Sequence, residues 1–447
     1  MTLGRHRHRQ VGYLRAVAET AGTGVLRAMI STVVGLIIAR FLGSSGRGTY
    51  AAVFAYTMAA AAILELGLTS SVLYYTARLR DRAEQVIRTG AWLILGCGTV
   101  TAVVGYFVAP LILHGHPPEG VTALRFAFAV EPLILLGGVW TSCLQATDLR
   151  AWNLATVVQP LSYAVAVAAA VALDHMDILG VTIALIISML TQCAAGGLLR
   201  CRQIPRRGRF SHPLVRPMMR YGLLNLTSRV PYLFNARLDQ LILTLMVPPA
   251  ALGNYAVAVS LSLLSQPITA AFGSVAMPKI AAARDSRAVM GQGILTSAIL
   301  GSISIGAAGS LVICAIAPFL VGAVLGPSFT DVLPLLLVLA PGAAVFGTNK
   351  VLGDILRGFN RSGTVACAEG LALVLTVGLN ALLLPVMGVM GAAIASSAAY
   401  GTAFLLLLRA VVRQTDTSPA LLARRARIRA RSAKLRTALI QADQNPN

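Results

Sequence analysis

The residues with the most distinctive chemistry are charged side chains inside long apolar segments of the chain. A charge at the centre of a bilayer costs about 2.5–3.5 kcal/mol even on the insertion scale, so such residues usually face a cavity or a partner. Arginine stays charged when buried and binds two phosphate oxygens at once, which predicts an anion site. Buried carboxyl groups, whose charged form is disfavoured, indicate internal pairing or uptake of a proton or sodium ion. The arginines are Arg27, Arg229 and Arg237, and the carboxylates are Glu65, Glu131 and Asp239.

Depth in the membrane separates these candidates. Counting about 1.5 Å per residue from the outer end of segment 217–247, Asp239 lies ~12 Å and Arg237 ~15 Å deep. Glu131 reaches a similar ~15 Å in its own segment, close to the bilayer midplane. Arg27 lies ~24 Å from the outer loop, which predicts a place near the inner mouth of a central cavity.

Internal pairing of Arg237 with Glu131 or Asp239 is the alternative to anion binding. Arg237 and Asp239 are two residues apart, so they point to different faces of a helix and are poorly placed to pair with each other. Three further charged residues are ambiguous, because side chains near helix ends reach water. They are Lys350, Asp354 and Glu369.

The elements that position these charges are membrane-spanning helices. The chain is 56% apolar and only 12% charged, whereas soluble domains are about 25% charged. Crossing a bilayer takes about 20 consecutive apolar residues. The sequence predicts an all-α integral membrane protein with twelve spans, at 16–42, 48–77, 89–113, 121–146, 152–173, 178–199, 217–247, 251–276, 290–320, 331–356, 363–385 and 389–412.

The basic residues predict the orientation of these spans. If the loops alternate between the two sides, one side holds 29 of the 37 lysines and arginines, while the opposite loops hold only Arg47. Lysine and arginine concentrate in cytoplasmic loops, so both termini are predicted to be cytoplasmic, which requires an even number of spans. This distribution accounts for the net charge of +21 without a nucleic-acid partner.

An internal repeat divides the predicted bundle into two lobes. Gly48-Thr-Tyr50-Ala51 recurs as Gly253-Asn-Tyr255-Ala256, 205 residues later. A second match, Leu179-Gly180 with Met390-Gly391, follows at an offset of 211. Such repeats are typical of transporters with a central site between their halves. We predict six-helix lobes over 1–205 and 206–413, followed by a basic tail, 414–447, that is either an amphipathic helix on the anionic inner leaflet or a solvated segment.

The opening of the chain resembles a known family. Ala39-Arg-Phe-Leu-Gly43, then Gly48-x-Tyr50, then Leu64-Glu-Leu-Gly67 is similar to the start of the polysaccharide exporters, the oligosaccharide-lipid flippases of the multidrug/oligosaccharidyl-lipid/polysaccharide (MOP) superfamily. The resemblance extends over about 15–413, although Glu65 stands where many members carry aspartate. It implies a MATE/MOP-like fold and alternating-access transport of undecaprenyl-diphosphate-linked oligosaccharide across the bacterial cytoplasmic membrane. Polysaccharide polymerases or glycosyltransferases are implied as partners.

Other functions remain open at this stage. A lipid II flippase of the same superfamily is expected to carry two helices in addition to these twelve. The predicted spans, however, end near residue 412. A drug/cation antiporter is expected to favour acidic and aromatic cavity residues over arginines. A scaffold for a polysaccharide synthase is a non-transport alternative. No GxSxG, HExxH or Walker A pattern occurs, and the histidines and cysteines are scattered, so we predict no enzyme, metal site or cofactor.

Overall fold

The computed structural model describes residues 2–202, 208–235, 237–270, 290–359 and 361–415. All regular structure in this part of the chain is helical. Two predictions concern positions outside the described residues: the basic tail, beyond its first two residues, and the side chain of Arg229.

Seven helices belong to the first predicted lobe or begin the second. They are α1 (Thr2–Leu64), α2 (Leu68–Arg78), α3 (Ala83–Ile112), α4 (Pro118–Thr147), α5 (Leu149–Ala172), α6 (Ile178–Cys201) and α7 (His212–Asn235). Six further α-helices follow, besides short 3₁₀ and π segments and the helical residues 266–270. They are α8 (Leu238–Met246), α9 (Pro249–Ser262), α10 (Met290–Phe319), α11 (Val332–Gly358), α12 (Ser362–Met387) and α13 (Val389–Thr415).

Local sequence explains where several of these helices begin. Prolines at the first position start α4 and α9, where the missing N–H costs nothing. Asp148 caps α5 by accepting from the backbone N–H groups of Arg150 at 2.9 Å and Ala151 at 3.2 Å. Asp177 caps α6 through the N–H of Gly180 at 2.6 Å. Each cap satisfies backbone donors that a helix leaves unpaired at its first turn.

Nine helices of the described part are long and apolar enough to cross a membrane. The first of them, Gly22–Leu64, holds two predicted spans, because the backbone leaves the helical region at Gly43 (φ 64°, ψ −177°) and divides α1 there. Predicted spans 217–247 and 251–276 correspond to α7, α8 and α9, which are shorter or more polar. In its described residues each predicted span is mainly helical, and the predicted all-α membrane fold is confirmed.

Three local expectations are wrong. The predicted five-residue outer loop 43–47 is a turn at Gly43 alone, with helix on both sides. The predicted span 48–77 is interrupted at residues 65–67, where Leu66 and Gly67 have positive φ angles. The predicted span 217–247 is interrupted between α7 and α8. Apolar composition marks the length of a span but carries no information about such breaks.

The helices pack in two groups that meet along α1 and α9 and along α2 and α7. In the first group α4 packs against α2, α3 and α6, while α5 packs against α1 and α6. In the second, α11 packs against α9, α10 and α13, while α12 packs against α7 and α13. The largest buried apolar cluster draws on both groups, with Leu124, Leu252 and Leu336 among its members. These residues lie towards the end of the bundle that is predicted to be outside.

The two copies of the repeat meet in a close backbone contact between the two groups. A Cβ atom added at Gly48 would lie 1.7 Å from the carbonyl oxygen of Pro249, and one added at Gly253 would lie 1.9 Å from that of Ser44. Only glycine permits this backbone contact. At the predicted inner end, the Ser71 hydroxyl of α2 donates to the Met218 carbonyl of α7 at 2.6 Å.

Candidate functional site

A central cavity of about 570 Å³ lies where the two groups of helices face each other. Its walls come from α1, α5, α6, α8, α9 and the residues that follow α9. At the predicted outer end it is bounded by Arg47, Tyr50 and Ala51, next to the contact of Gly48 with α9. Its volume falls in the range of sites that enclose one drug-sized ligand.

Two arginines from different helices occupy the predicted outer end of this cavity. Arg237 stands directly before α8, at the interruption of the seventh predicted span, and its Cζ lies 5.2 Å from the centre of the Phe54 ring. Arg47 lies over the ring of Tyr50 in the same way, at 5.5 Å. The two rings are stacked, with centroids 6.4 Å apart. Cation–π contacts hold both guanidinium groups in place and leave their N–H donors available to oxygen ligands.

Two hydrogen bonds also position Arg237. Its Nη1 donates to Oε1 of Gln240 at 3.2 Å, and its backbone N–H donates to the carbonyl of Phe234 at 2.9 Å. Among the described residues Arg237 makes no ion pair with Glu131 or Asp239. Neither carboxylate is thus within ion-pair distance of Arg237 in the described structure, although the charges of Arg237 and Asp239 act on each other.

Arg27 is the third arginine of the cavity wall, on the stretch of α1 that precedes the turn at Gly43. It lines the same cavity as Arg237, so two of the three predicted arginines lie around one space. The position of the third, Arg229, is outside the described side chains. No aspartate or glutamate occurs among the described residues that line the cavity. The described part of the wall therefore carries three arginines and no carboxylate.

Asp239 lies outside the cavity, inside the second group of helices. Its side chain is 1% exposed. It accepts hydrogen bonds from the hydroxyl of Tyr255, from Ser396 at 3.2 Å and from the backbone N–H of Gln240 at 2.7 Å. These contacts join α8, α9 and α13.

Glu131 differs from Asp239, because neither of its carboxylate oxygens has a hydrogen-bond partner among the described residues. The residue is fully buried in α4. Glu65, at the interruption between α1 and α2, accepts from the Thr69 hydroxyl at 3.1 Å through both oxygens. Neither carboxylate lines the cavity.

The three ambiguous residues also have partners away from the cavity. Asp354 accepts from Lys350 at 3.4 Å and from Arg357 at 2.9 Å along α11. Glu369 accepts from the amide of Asn235 at 2.9 Å, which links α12 to α7. These side chains hold the second group of helices together.

The prediction from sequence missed Arg47. It was counted as the exception among the outer loops, yet the helical turn at Gly43 brings it into the wall of the cavity. The sequence does contain a signal. Arg47 is the only lysine or arginine of the predicted outer loops, and it directly precedes the first copy of the Gly-x-Tyr repeat.

A helical bundle with apolar spans, two groups of helices and a polar cavity between them defines a multi-pass membrane protein of the transporter class. The sequence model of the family described as polysaccharide biosynthesis protein matches residues 14–284. That is more than half of the chain, so the chain belongs to this family. The resemblance noted in the sequence is thereby confirmed. No curated protein matches the chain in sequence.

Solved structures with the same fold are transporters of the MOP superfamily. An inward-facing multidrug resistance MATE family transporter is similar with a TM-score of 0.70 at 17% identity, over 89% of this chain and 99% of that one. The lipid II flippase MurJ, in an inward closed conformation, gives 0.72 at 14% identity, over 90% and 87%. An outward-facing MATE family transporter gives 0.63 at 16% identity, over 90% and 96%. At these identities the similarity establishes the fold.

Proposed function

We propose that this protein is a flippase that moves an undecaprenyl-diphosphate-linked oligosaccharide from the inner to the outer leaflet of the bacterial cytoplasmic membrane. The supporting observation is the cavity wall, which carries Arg27, Arg47 and Arg237 and, in its described part, no carboxylate. A diphosphate is a fixed anion that must cross hydrocarbon, and planar guanidinium groups bind its oxygens in pairs. The transported saccharide contributes to surface polysaccharide, in agreement with the family.

The arrangement of the arginines suits a cargo that enters from one side. Arg27 lies near the predicted inner mouth, and the Arg47 and Arg237 pair lies near the predicted outer end, next to the glycine contact. In an alternating-access cycle the diphosphate passes from Arg27 to the Arg47 and Arg237 pair, and the glycine contact at the outer end then opens. The lipid chain stays in the bilayer throughout.

The cavity argues against a drug/cation antiporter. A cationic drug needs carboxylates or open aromatic faces. Here the faces of Tyr50 and Phe54 are covered by guanidinium groups. A lipid II flippase shares the diphosphate chemistry, so the saccharide is the feature that distinguishes it.

Glu131 is our candidate for coupling transport to an ion gradient. A fully buried carboxyl without a described partner favours its neutral form unless a cation or a proton donor reaches it. Asp239 and Glu65 have hydrogen-bond donors in this conformation and are assigned to internal pairing. The basic tail is proposed to contact anionic lipids of the inner leaflet, where polymerases or glycosyltransferases of the same route would meet the flippase.

A reconstituted flipping assay tests the proposal. Proteoliposomes containing the full chain receive a fluorescent prenyl-diphosphate oligosaccharide, and its arrival in the opposite leaflet is followed by quenching. Loss of a hydrogen bond to a charged group costs about 1.5–3 kcal/mol, so Arg237→Ala should slow flipping roughly ten- to a hundredfold. Arg125→Ala is the matched control, since Arg125 lies over the Tyr106 ring at 4.7 Å but outside the cavity.

Two results would contradict the proposal. If Arg237→Ala and Arg125→Ala both flip at the wild-type rate, the phosphate assignment is wrong. If the wild-type protein does not flip the lipid and extrudes ethidium instead, the antiporter function is correct.

A further inference from the structure

The cavity has a second wall whose chemistry differs from that of the arginines. It is formed by α5 and α6 and presents neutral side chains. Gln159 and Tyr163 are one turn apart on α5, while Leu185, Met189 and Gln192 follow one face of α6 at helical spacing. We call this set the amide wall. None of its members is charged, although arginines from α1 and from the start of α8 line the same cavity.

The polar groups of the amide wall are held in defined positions. The Gln159 amide donates to the Ser188 hydroxyl at 3.3 Å, and Ser188 in turn donates to the Leu185 carbonyl at 2.7 Å. The Tyr163 hydroxyl bonds that of Tyr50 at 2.6 Å. The bond to Ser188 fixes the orientation of Gln159, which also lines the cavity.

Gln192 is the most available polar group of the wall. Its amide has no hydrogen bond with any other described residue, and the side chain is partly exposed to the cavity. A primary amide offers two donors and one acceptor. The Gln192 amide therefore matches a ligand with neighbouring hydroxyl groups, which both donate and accept hydrogen bonds. A diphosphate only accepts, so it would use the two donors of the amide and leave its oxygen without a partner.

We propose that the amide wall is a subsite for the uncharged sugar next to the diphosphate, with Gln159 and Gln192 bonding its hydroxyl groups and Met189 and Tyr163 contacting its C–H faces. This inference rests on the proposed function. The cavity volume of about 570 Å³ is that of a site for one drug-sized ligand. It encloses only the first part of an oligosaccharide, so selectivity for the cargo falls on the sugar nearest the phosphates.

A paired binding measurement tests this subsite. The full chain in lipid nanodiscs is titrated with undecaprenyl diphosphate and, separately, with undecaprenyl-diphosphate oligosaccharide. A neutral hydrogen bond corresponds to roughly a three- to tenfold change in affinity. Gln192→Leu and Gln159→Leu should each weaken binding of the saccharide form by that factor and leave binding of the free diphosphate lipid unchanged.

The control is Thr191→Val, one residue earlier on α6, whose hydroxyl donates to the Ile187 carbonyl on the exposed side of the helix. Unchanged binding of the free diphosphate lipid also shows that the leucine variants are folded. If both lipids lose affinity equally, or neither does, the subsite is wrong and the proposed function stands. If the wild-type protein binds neither lipid, the proposed function and the subsite fail together.

Discussion

The two copies of the Gly-x-Tyr-Ala repeat begin alike and then differ. Gly48 and Gly253 face each other across the boundary between the two groups of helices and make the same kind of contact, backbone against backbone. Two residues later the symmetry is lost. Tyr50 lines the cavity beneath Arg47 and bonds Tyr163, whereas Tyr255 is fully buried and bonds Asp239 and Ser396.

This difference separates positions that hold the two groups of helices together, the glycines, from positions that differ between the cavity and the protein interior, the tyrosines. The glycine positions serve the contact that both lobes must make, so both copies keep glycine. The tyrosine positions are free to diverge, because one faces a cavity and the other faces a protein interior. The first copy thus holds Arg47 over its ring in the wall of the cavity, and the second holds a carboxylate inside the second group of helices.

The largest effect is expected from breaking the shared glycine contact. In Gly48→Ala or Gly253→Ala, the new Cβ meets a carbonyl oxygen of the opposite helix at less than 2 Å in the present geometry. Overpacking of this kind costs about 1–3 kcal/mol, which disfavours the closed outer end up to roughly a hundredfold. Spin labels at Thr122 and Asp331 should report a longer distance between the outer ends, and flipping should slow in both variants.

Gly96→Ala serves as the control for this pair. A Cβ at Gly96 meets no atom within 4 Å, so neither the label distance nor the flipping rate should change. If only one of the two glycine variants shows the effect, the two glycines do not contribute equally to the contact. The conclusion that the two copies are alike at their glycine positions would then be wrong.

Sequence reasoning predicted the symmetric part of the molecule better than the asymmetric part. Span positions follow from the thickness of the bilayer, which demands long apolar runs wherever the chain crosses. The spacing of the repeat predicted two lobes, whereas the contact that its glycines make became visible only in the structure. The place of Arg47 was not predicted, because it depends on a turn made by Gly43 alone, which composition does not reveal.

The same limitation applies to the carboxylates. Asp239 and Glu131 were predicted at similar depths, and depth alone could not separate them. Their difference lies in their neighbours from distant parts of the sequence. Ser396, 157 residues from Asp239, donates to it, whereas Glu131 has no described donor. Contacts of this range are decided by helix packing and leave no local pattern.

A smaller effect should separate the two tyrosines. Tyr255→Phe removes a donor from the buried carboxylate of Asp239, and leaving such a group short of a partner costs about 1–3 kcal/mol. Tyr50→Phe removes a bond between two neutral hydroxyl groups, which is worth about 0.5–1.5 kcal/mol. In detergent, thermal unfolding of purified protein should shift more for Tyr255→Phe. The reverse order, or equal shifts, would show that the tyrosines have not diverged in role.

The smallest expected effect is a dependence of the closed outer end on pH. His116, in the loop between α3 and α4, joins the two groups of helices: its Nδ1 lies 3.1 Å from the Thr49 hydroxyl and its Nε2 lies 3.3 Å from the Thr244 carbonyl. A carbonyl only accepts, so Nε2 carries the proton, and in the neutral ring Nδ1 accepts from Thr49. Burial, and to a lesser extent the charge of His114, lowers the pKa of His116 below its ordinary 6.5, against the opposing effect of the Thr244 carbonyl.

The sign of the pH dependence follows from this lowered pKa. In the closed state His116 binds a proton less readily than in a state in which the ring reaches water. Closure is therefore fully favoured above pH 6.5. It is weakened as the pH falls from 6.5 through the lowered pKa of His116. The distance between labels at Thr122 and Asp331 should therefore lengthen at acidic pH. His116→Gln should abolish this response, and His114→Gln, at an exposed position, should only weaken it. A response that survives in His116→Gln would assign the titration to another group and leave the glycine contact as the determinant of closure.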